Sequence, residues 1–334
     1  MRGNSPAMEV SSPDLGAPSE IQADWLELIA FLDPRGFAPV AELIGQQDPE
    51  WNQEVEDIGE ADGALEDIAA NAVAEIERRS HDLEGAYPFK MSEDGSSLIL
   101  NQDWTSAQAI YLFSLIISHA VRSELLPAHF GPDDAELRTA RDLFQVCATL
   151  AAAGHCNGPA YSIGWPRRDK TGFLEKLKEI WAHFGDGTVH DTPLPGTPDD
   201  LKDEGIDVIA WWPERDGQPG LGFLIGQVAS GRNWKDKSVL PHLRRFLSEW
   251  FSNPPVSKAH SAIFIPFTVA DDQMRRTSSM HGYVVHRGRL ARLAGSAPAL
   301  AEMGVAPIER LDEIDRVQSW LRDYKAALLE RTAA

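Results

Sequence analysis

Two short apolar runs constrain this chain more than any other feature. Ile206–Trp212 (IDVIAWW) and Leu221–Ser230 (LGFLIGQVAS) are rich in β-formers, and Pro213–Gly220 (PERDGQPG) between them is a strong turn signal. The pattern predicts a β-hairpin. Side chains alternate along a strand, so Asp207 shares a face with Ile209 and Trp211, and Gln227 shares one with Phe223, Ile225 and Ala229. An ionised Asp inside so apolar a run is costly unless it is paired or metal-bound. A Gln ending LGFLIGQ is the same anomaly in milder form. If the two strands pair, an acid and an amide oxygen converge near the open end of a sheet. Oxygen donors around open positions are what Mg²⁺ or Mn²⁺ takes.

The flanking segments predict a mixed α and β domain. Residues 171–184 (TGFLEKLKEIWAHF) read as an amphipathic helix with Phe173, Leu177, Ile180, Trp181 and Phe184 on one face. A Pro-rich loop (191–200) precedes the hairpin. A helix over 239–251 and strands over 261–267 and 282–286 follow it, then a last helix over 308–329. From residue 171 the order is helix, short strand, hairpin, helix, strand. Upstream, residues 1–20 are rich in Ser, Pro and Gly and predict a disordered tail. Helical spacing over 21–45, 65–76, 104–126 and 134–153 makes residues 21–155 mostly α-helical, with no chemical motif. The expected divisions are the tail (1–20), an acidic α-helical domain (21–155), a mixed domain (160–290) and a C-terminal helical segment (291–334). The fold class is α+β or α/β.

Charge is unevenly distributed. The net charge of −20 is concentrated in residues 1–100, which hold 22 acids against 5 bases. No Lys or Arg occurs from Gly36 to Glu77, and Asp48–Asp67 holds nine acids, which predict a solvated helix face or a surface that docks on a basic partner. Over Val208–Leu300 the balance reverses, with 12 bases against 6 acids. A nucleic-acid partner is therefore compatible with that part of the chain. The longest helical apolar run, Ala109–Ser118, falls short of the roughly 18 residues a membrane span needs. No membrane partner and no secretory leader are expected. Two cysteines without a C-x-x-C exclude a disulfide framework and fit a reducing cytoplasm. The histidines show no H-E-x-x-H, and neither a P-loop nor a G-x-S-x-G occurs.

Asp203, Gly205, Ile206 and Asp207 before the hairpin turn, and Gln227, Val228 and Ala229 after it, resemble the motifs of the PD-(D/E)xK nuclease superfamily. The match looks closest to its Mrr-like restriction-endonuclease branch, whose second motif is often Gln-x-Lys. The resemblance spans roughly residues 170–270 and implies a restriction-endonuclease-like αβββαβ core. It further implies a metal-dependent nuclease that hydrolyses phosphodiester bonds, DNA more than RNA, as an effector of restriction or antiphage defence. Asp207, the Gln227 side chain and the Val228 carbonyl would hold Mg²⁺ or Mn²⁺. A homodimer or a protein activator would be a natural partner.

This chain departs from the pattern at the lysine, because position 229 is Ala. Lys235 or Lys237 could reach back from the strand end as the missing cation, and Arg244 could substitute. Otherwise the chain is a catalytically degenerate subunit that binds nucleic acid or protein. Ser230, Arg232, Lys235, Lys237, Arg244 and Arg245 are the candidate phosphate contacts, with Arg275, Arg276, Arg287, Arg289 and Arg292 as extensions. Glu175 and Glu179 lie opposite the apolar face of their helix and are expected to be solvated acids. Cys147 is expected in the core.

Overall fold

A computed structural model describes residues 10–14, 16–45, 58–122, 125–126, 134–197, 204–218 and 222–333. Asp203, much of the acidic stretch and the start of the expected tail lie outside them. The chain divides into two compact units, one of residues 1–136 and 317–334, the other of residues 137–316.

The first unit opens with α1 (Ser19–Leu32), β1 (Phe37–Pro39) and α2 (Ala41–Gly45). The helix expected over 21–45 is therefore broken. Asp33 accepts the Arg35 N–H, and Gly36 takes the left-handed backbone (φ +74°) that glycine tolerates. The long helix α3 (Ile58–Leu83), the strands β2 (Phe89–Met91) and β3 (Ser97–Leu100) and helix α4 (Ser106–Arg122) follow. The three strands form a small antiparallel sheet, order β1-β3-β2, inside a region whose sequence reads as helical. Val10 is buried and the Ser11 N–H donates to the Leu125 carbonyl, so this part of the expected tail is packed.

The second unit contains α5 (Asp134–Cys156), β4 (Ala160–Ser162), α6 (Phe173–Phe184), β5 (Thr188–Val189), β6 (Val208–Trp211) and β7 (Gly222–Val228). It continues with α7 (Leu243–Trp250), β8 (Phe251–Asn253), β9 (Lys258–Phe264), α8 (Asp271–His281), β10 (Tyr283–Val285), α9 (Arg287–Gly295) and α10 (Ala297–Glu302). Helix α11 (Ile314–Ala333) closes the chain and lies mostly in the first unit. The fold is α+β, built on a five-stranded sheet of order β10-β9-β7-β6-β4. The β4–β6 and β6–β7 pairs are antiparallel, and β7–β9 and β9–β10 are parallel.

Two features depart from the expected order. The short strand after α6 is outside the sheet, because β5 pairs with β8 in a separate two-stranded sheet. The strand beside β6 is instead β4, which precedes α6. In addition, α5 runs through Gly154 instead of ending there. A Cβ at Gly154 would lie 2.0 Å from the Leu293 carbonyl, so this glycine permits close approach to α9 and does not stop the helix.

One sheet face packs Ile209, Trp211, Phe223 and Ile225 against Phe173, Leu177, Ile180 and Trp181 of α6 and Phe246 and Trp250 of α7. The other face is buried as well, at Val208, Ala210, Leu224 and Ala262. This double burial explains why both hairpin runs are almost continuously apolar.

Candidate functional site

The hairpin register pairs Val208 with Gly226 and Ile209 with Ile225. Continued by one residue, it sets Asp207 opposite Gln227 at the strand end. Asp207 is half-buried and firmly held. Its N–H donates to the Gly226 carbonyl (2.9 Å), and its carboxylate Oδ2 accepts the Val228 N–H (2.8 Å). Its carbonyl accepts the N–H groups of Ile163 and Gly164 and the Gln145 side-chain amide, the last at 2.7 Å. A Cβ at Gly164 would sit 2.5 Å from Asp207 Oδ1, so only glycine lets that loop pass the carboxylate. The acid in an apolar run is thus accommodated by hydrogen bonds at the edge of the core.

Gln227 borders an open pocket of about 340 Å³ together with Glu204, Gly205, Lys237 and Arg245. Gly205 has φ +73°, and a Cβ there would approach the Gln227 amide nitrogen at 3.5 Å. Lys237 lines the same pocket as Gln227. Lys235 does not line it: the side chain is exposed, with its ammonium 5.7 Å from the Trp234 ring centre. Arg245 lines the pocket with its guanidinium bonded to Glu204 (2.7 Å) and close to Glu249 (3.6 Å). Ser230 is half-buried, and Arg232 and Arg244 are exposed outside the pocket lining. Arg287 is 1 % exposed and donates to the Pro266 carbonyl, so it is a core residue and not a surface cation.

Ala229 is completely buried among Trp234, Ile263, Ile265, Phe267 and Val284. A lysine cannot extend from this position into solvent without displacing that cluster. The oxygen donors near the strand ends are the Asp207 carboxylate, the Gln227 amide and the Val228 carbonyl. Mg²⁺ and Mn²⁺ accept such sets, with one carboxylate and the remaining positions filled by water or phosphate. Asp207 Oδ2 already takes one backbone N–H, and among the described residues no three His, Cys, Asp or Glu side chains gather as a metal site. The residues fit a minimal cation site and no richer one.

Two features of this region were not singled out in the sequence. Gln145 ties α5 to both Asp207 and Ser162. Its signal is an amide in the apolar stretch Asp142–Leu150 (DLFQVCATL), the same anomaly that marks Gln227. The second is a charged cluster around Lys176, whose ammonium contacts Asp169 (3.0 Å), Glu179 (3.0 Å) and Glu309 (2.5 Å). Burial pushes the Glu309 carboxyl up, against the pull of Lys176. Asp169 is pushed up by partial burial, but bonds from Thr171 and Lys176 outweigh that and hold it at about 2. Glu175 accepts the Gly172 N–H and caps α6, so both acids of that helix have structural partners. Cys147 and Cys156 are buried thiols, both pushed upward by burial. Comparison with protein-family models, curated proteins and solved structures finds no match to this chain.

Proposed function

We propose that the chain is a metal-dependent nuclease hydrolysing phosphodiesters, with DNA the favoured substrate. The observation that carries this reading is the placement of Asp207 opposite Gln227, whose pocket Lys237 also lines. The element order supports it further. Taken as α5, β4, β6, β7, α7 and β9, the elements of the second unit are consistent with an αβββαβ order, with α6 and β5 inserted after the first strand and β8 before the last. Some members of the superfamily carry an extra acid on the opening helix. Here that helix is α5, and Gln145 is the residue it brings to Asp207.

In this reading Asp207, Gln227 and the Val228 carbonyl hold Mg²⁺ or Mn²⁺. Such an ion, when bound, supplies a water of lowered pKa and neutralises charge on the phosphate. Lys237 presents its ammonium to a phosphate oxygen from the pocket wall, in place of the lysine absent at 229. Arg245 takes part only by exchanging Glu204 for phosphate. Ser230, Arg232, Lys235 and Arg244 position the nucleic-acid backbone around the site. A role in antiphage defence, with a protein activator or as a homodimer, extends the same proposal.

A second reading has its own observations. Buried Ala229 and the Val228 N–H on the carboxylate favour a degenerate nuclease fold that binds nucleic acid or protein without turnover.

Cleavage of plasmid DNA and of a structured RNA with Mg²⁺ or Mn²⁺ separates the two. Asp207→Asn and EDTA should each abolish cutting. Lys237→Ala should slow it about 10²-fold, the scale of a lost proton-transfer or charge-stabilising group, and Lys235→Ala should leave it near wild type. Cutting that survives both Asp207→Asn and EDTA would sink the nuclease site. If the wild type does not cut, a Mn²⁺ titration by calorimetry decides. Heat that depends on Asp207 points to a missing activator, and no heat points to the binding module.

A further inference from the structure

The sheet carries a second concave site, on the face opposite Asp207 and at the other end of the hairpin. Along β7, Leu224 points away from the face of Ile225, and the same alternation places Trp212, His260 and Tyr283 with Leu224. These residues and His155, from the end of α5, line a cavity of about 620 Å³. The volume is within the range of small-ligand pockets. Its wall is made of rings. Trp212 meets His260 edge to face at 5.3 Å and His155 at 5.6 Å, and His155 stacks on Tyr283 at 4.0 Å with 14° between planes. Gly222 holds the space open: a Cβ there would lie 3.0 Å from the His260 ring.

Two cations stand beside this wall. The Arg289 guanidinium lies 5.3 Å from the Tyr283 ring centre and donates to the Val284 carbonyl. Arg292 is exposed one helical turn further along α9. Among the described residues neither has a carboxylate partner, unlike Arg245, Arg310 or Arg168 of the same unit. Burial, followed by the Arg289, His260 and Arg292 charges, pushes the His155 imidazole down, so at neutral pH it is an uncharged ring. Aromatic rings beside two guanidinium groups that have no carboxylate partner among the described residues match a base carrying a phosphate.

We propose that this cavity binds a mononucleotide, with its base against Trp212 and His260 and its phosphate toward Arg289 and Arg292. The site does not depend on the nuclease reading, since it shares no residue with the Asp207 region.

The test is calorimetry or equilibrium dialysis of the full chain with AMP, GMP, adenosine and inorganic phosphate, without divalent metal. AMP or GMP should bind, and adenosine and phosphate alone should each bind at least about tenfold more weakly. Trp212→Ala and Arg292→Ala should each weaken nucleotide binding by about tenfold or more. His260→Ala, at an exposed position, carries the ring test if the tryptophan variant does not fold. Asp207→Asn should bind as wild type does, so cleavage can fail while this site stands. The proposal is overturned by no nucleotide binding at about 1 mM. It is equally overturned by adenosine or phosphate binding as tightly as the nucleotide, or by His260→Ala and Arg292→Ala both matching wild type.

Discussion

Arg79 shows how little the local sequence says about a residue's surroundings. It lies on α3 among acids that read as a solvated face, yet it is 5 % exposed. Its guanidinium binds Asp24 (2.7 Å), Glu27 (2.8 Å) and Glu75 (2.7 Å), and Glu27 also accepts the hydroxyls of Tyr87 and Tyr111. Asp24 in turn meets His119 at 2.7 Å. Three buried carboxylates around one arginine are tolerable only while the arginine is present. Arg79→Met should therefore cost about 3–5 kcal/mol, the scale of breaking a buried ion pair from one side. Urea denaturation measures this, and a loss below about 1 kcal/mol would mean the carboxylates neutralise themselves by taking up protons. Nothing in the sequence pairs Arg79 with Asp24 or Glu27, because α1 and α3 meet only in the folded chain. Asp207 differs: an acid within an apolar run is an anomaly visible in seven letters.

At the scale of elements, periodicity carried the hairpin and α6, and it failed where burial did not set the pattern. Strands β6 and β7 fall inside the runs predicted for them, because both of their faces are covered. Helix α8, with the sequence DDQMRRTSSMH, is mostly exposed and offers no apolar repeat to read. The missing lysine is also an element-scale matter. Position 229 directly follows β7, where its N–H donates to the Phe264 carbonyl, and its side chain points into the Trp234 cluster. Under the nuclease reading proposed above, placing a lysine there should not add activity. Ala229→Lys is expected to destabilise the protein by about 3 kcal/mol or more, through overpacking and an unpaired buried ammonium. It should not increase cleavage of plasmid DNA. Thermal melting and the cleavage assay check the two halves separately, and a stable variant with faster cutting would show that the lysine can leave the Trp234 cluster and reach the proposed site at Asp207 and Gln227.

At the scale of the molecule, the first unit is closed by the far end of the chain. Val317, Leu321, Tyr324 and Leu328 of α11 are buried, and Trp320 meets Phe113 edge to face at 5.1 Å. Burying each such side chain contributes about 1.5–3 kcal/mol, so four contribute roughly as much as the whole stability of a small domain. A chain ended after Arg316 should lose the cooperative unfolding of the first unit while the sheet unit keeps its own. Circular dichroism and limited proteolysis would show this, and an unchanged proteolytic pattern in residues 10–122 would contradict it. The sequence by itself determined what local interactions decide: the alternation of the hairpin, the amphipathic face of α6, the reversal of charge along the chain and the anomaly of Asp207. Only the tertiary structure decided which strand lies beside β6, which helix reaches Asp207, that Lys237 and not Lys235 borders Gln227, and that the two ends of the chain share one unit. These depend on contacts between residues far apart in sequence, and those contacts are chosen by the joint packing of all the elements, which no short window of residues contains.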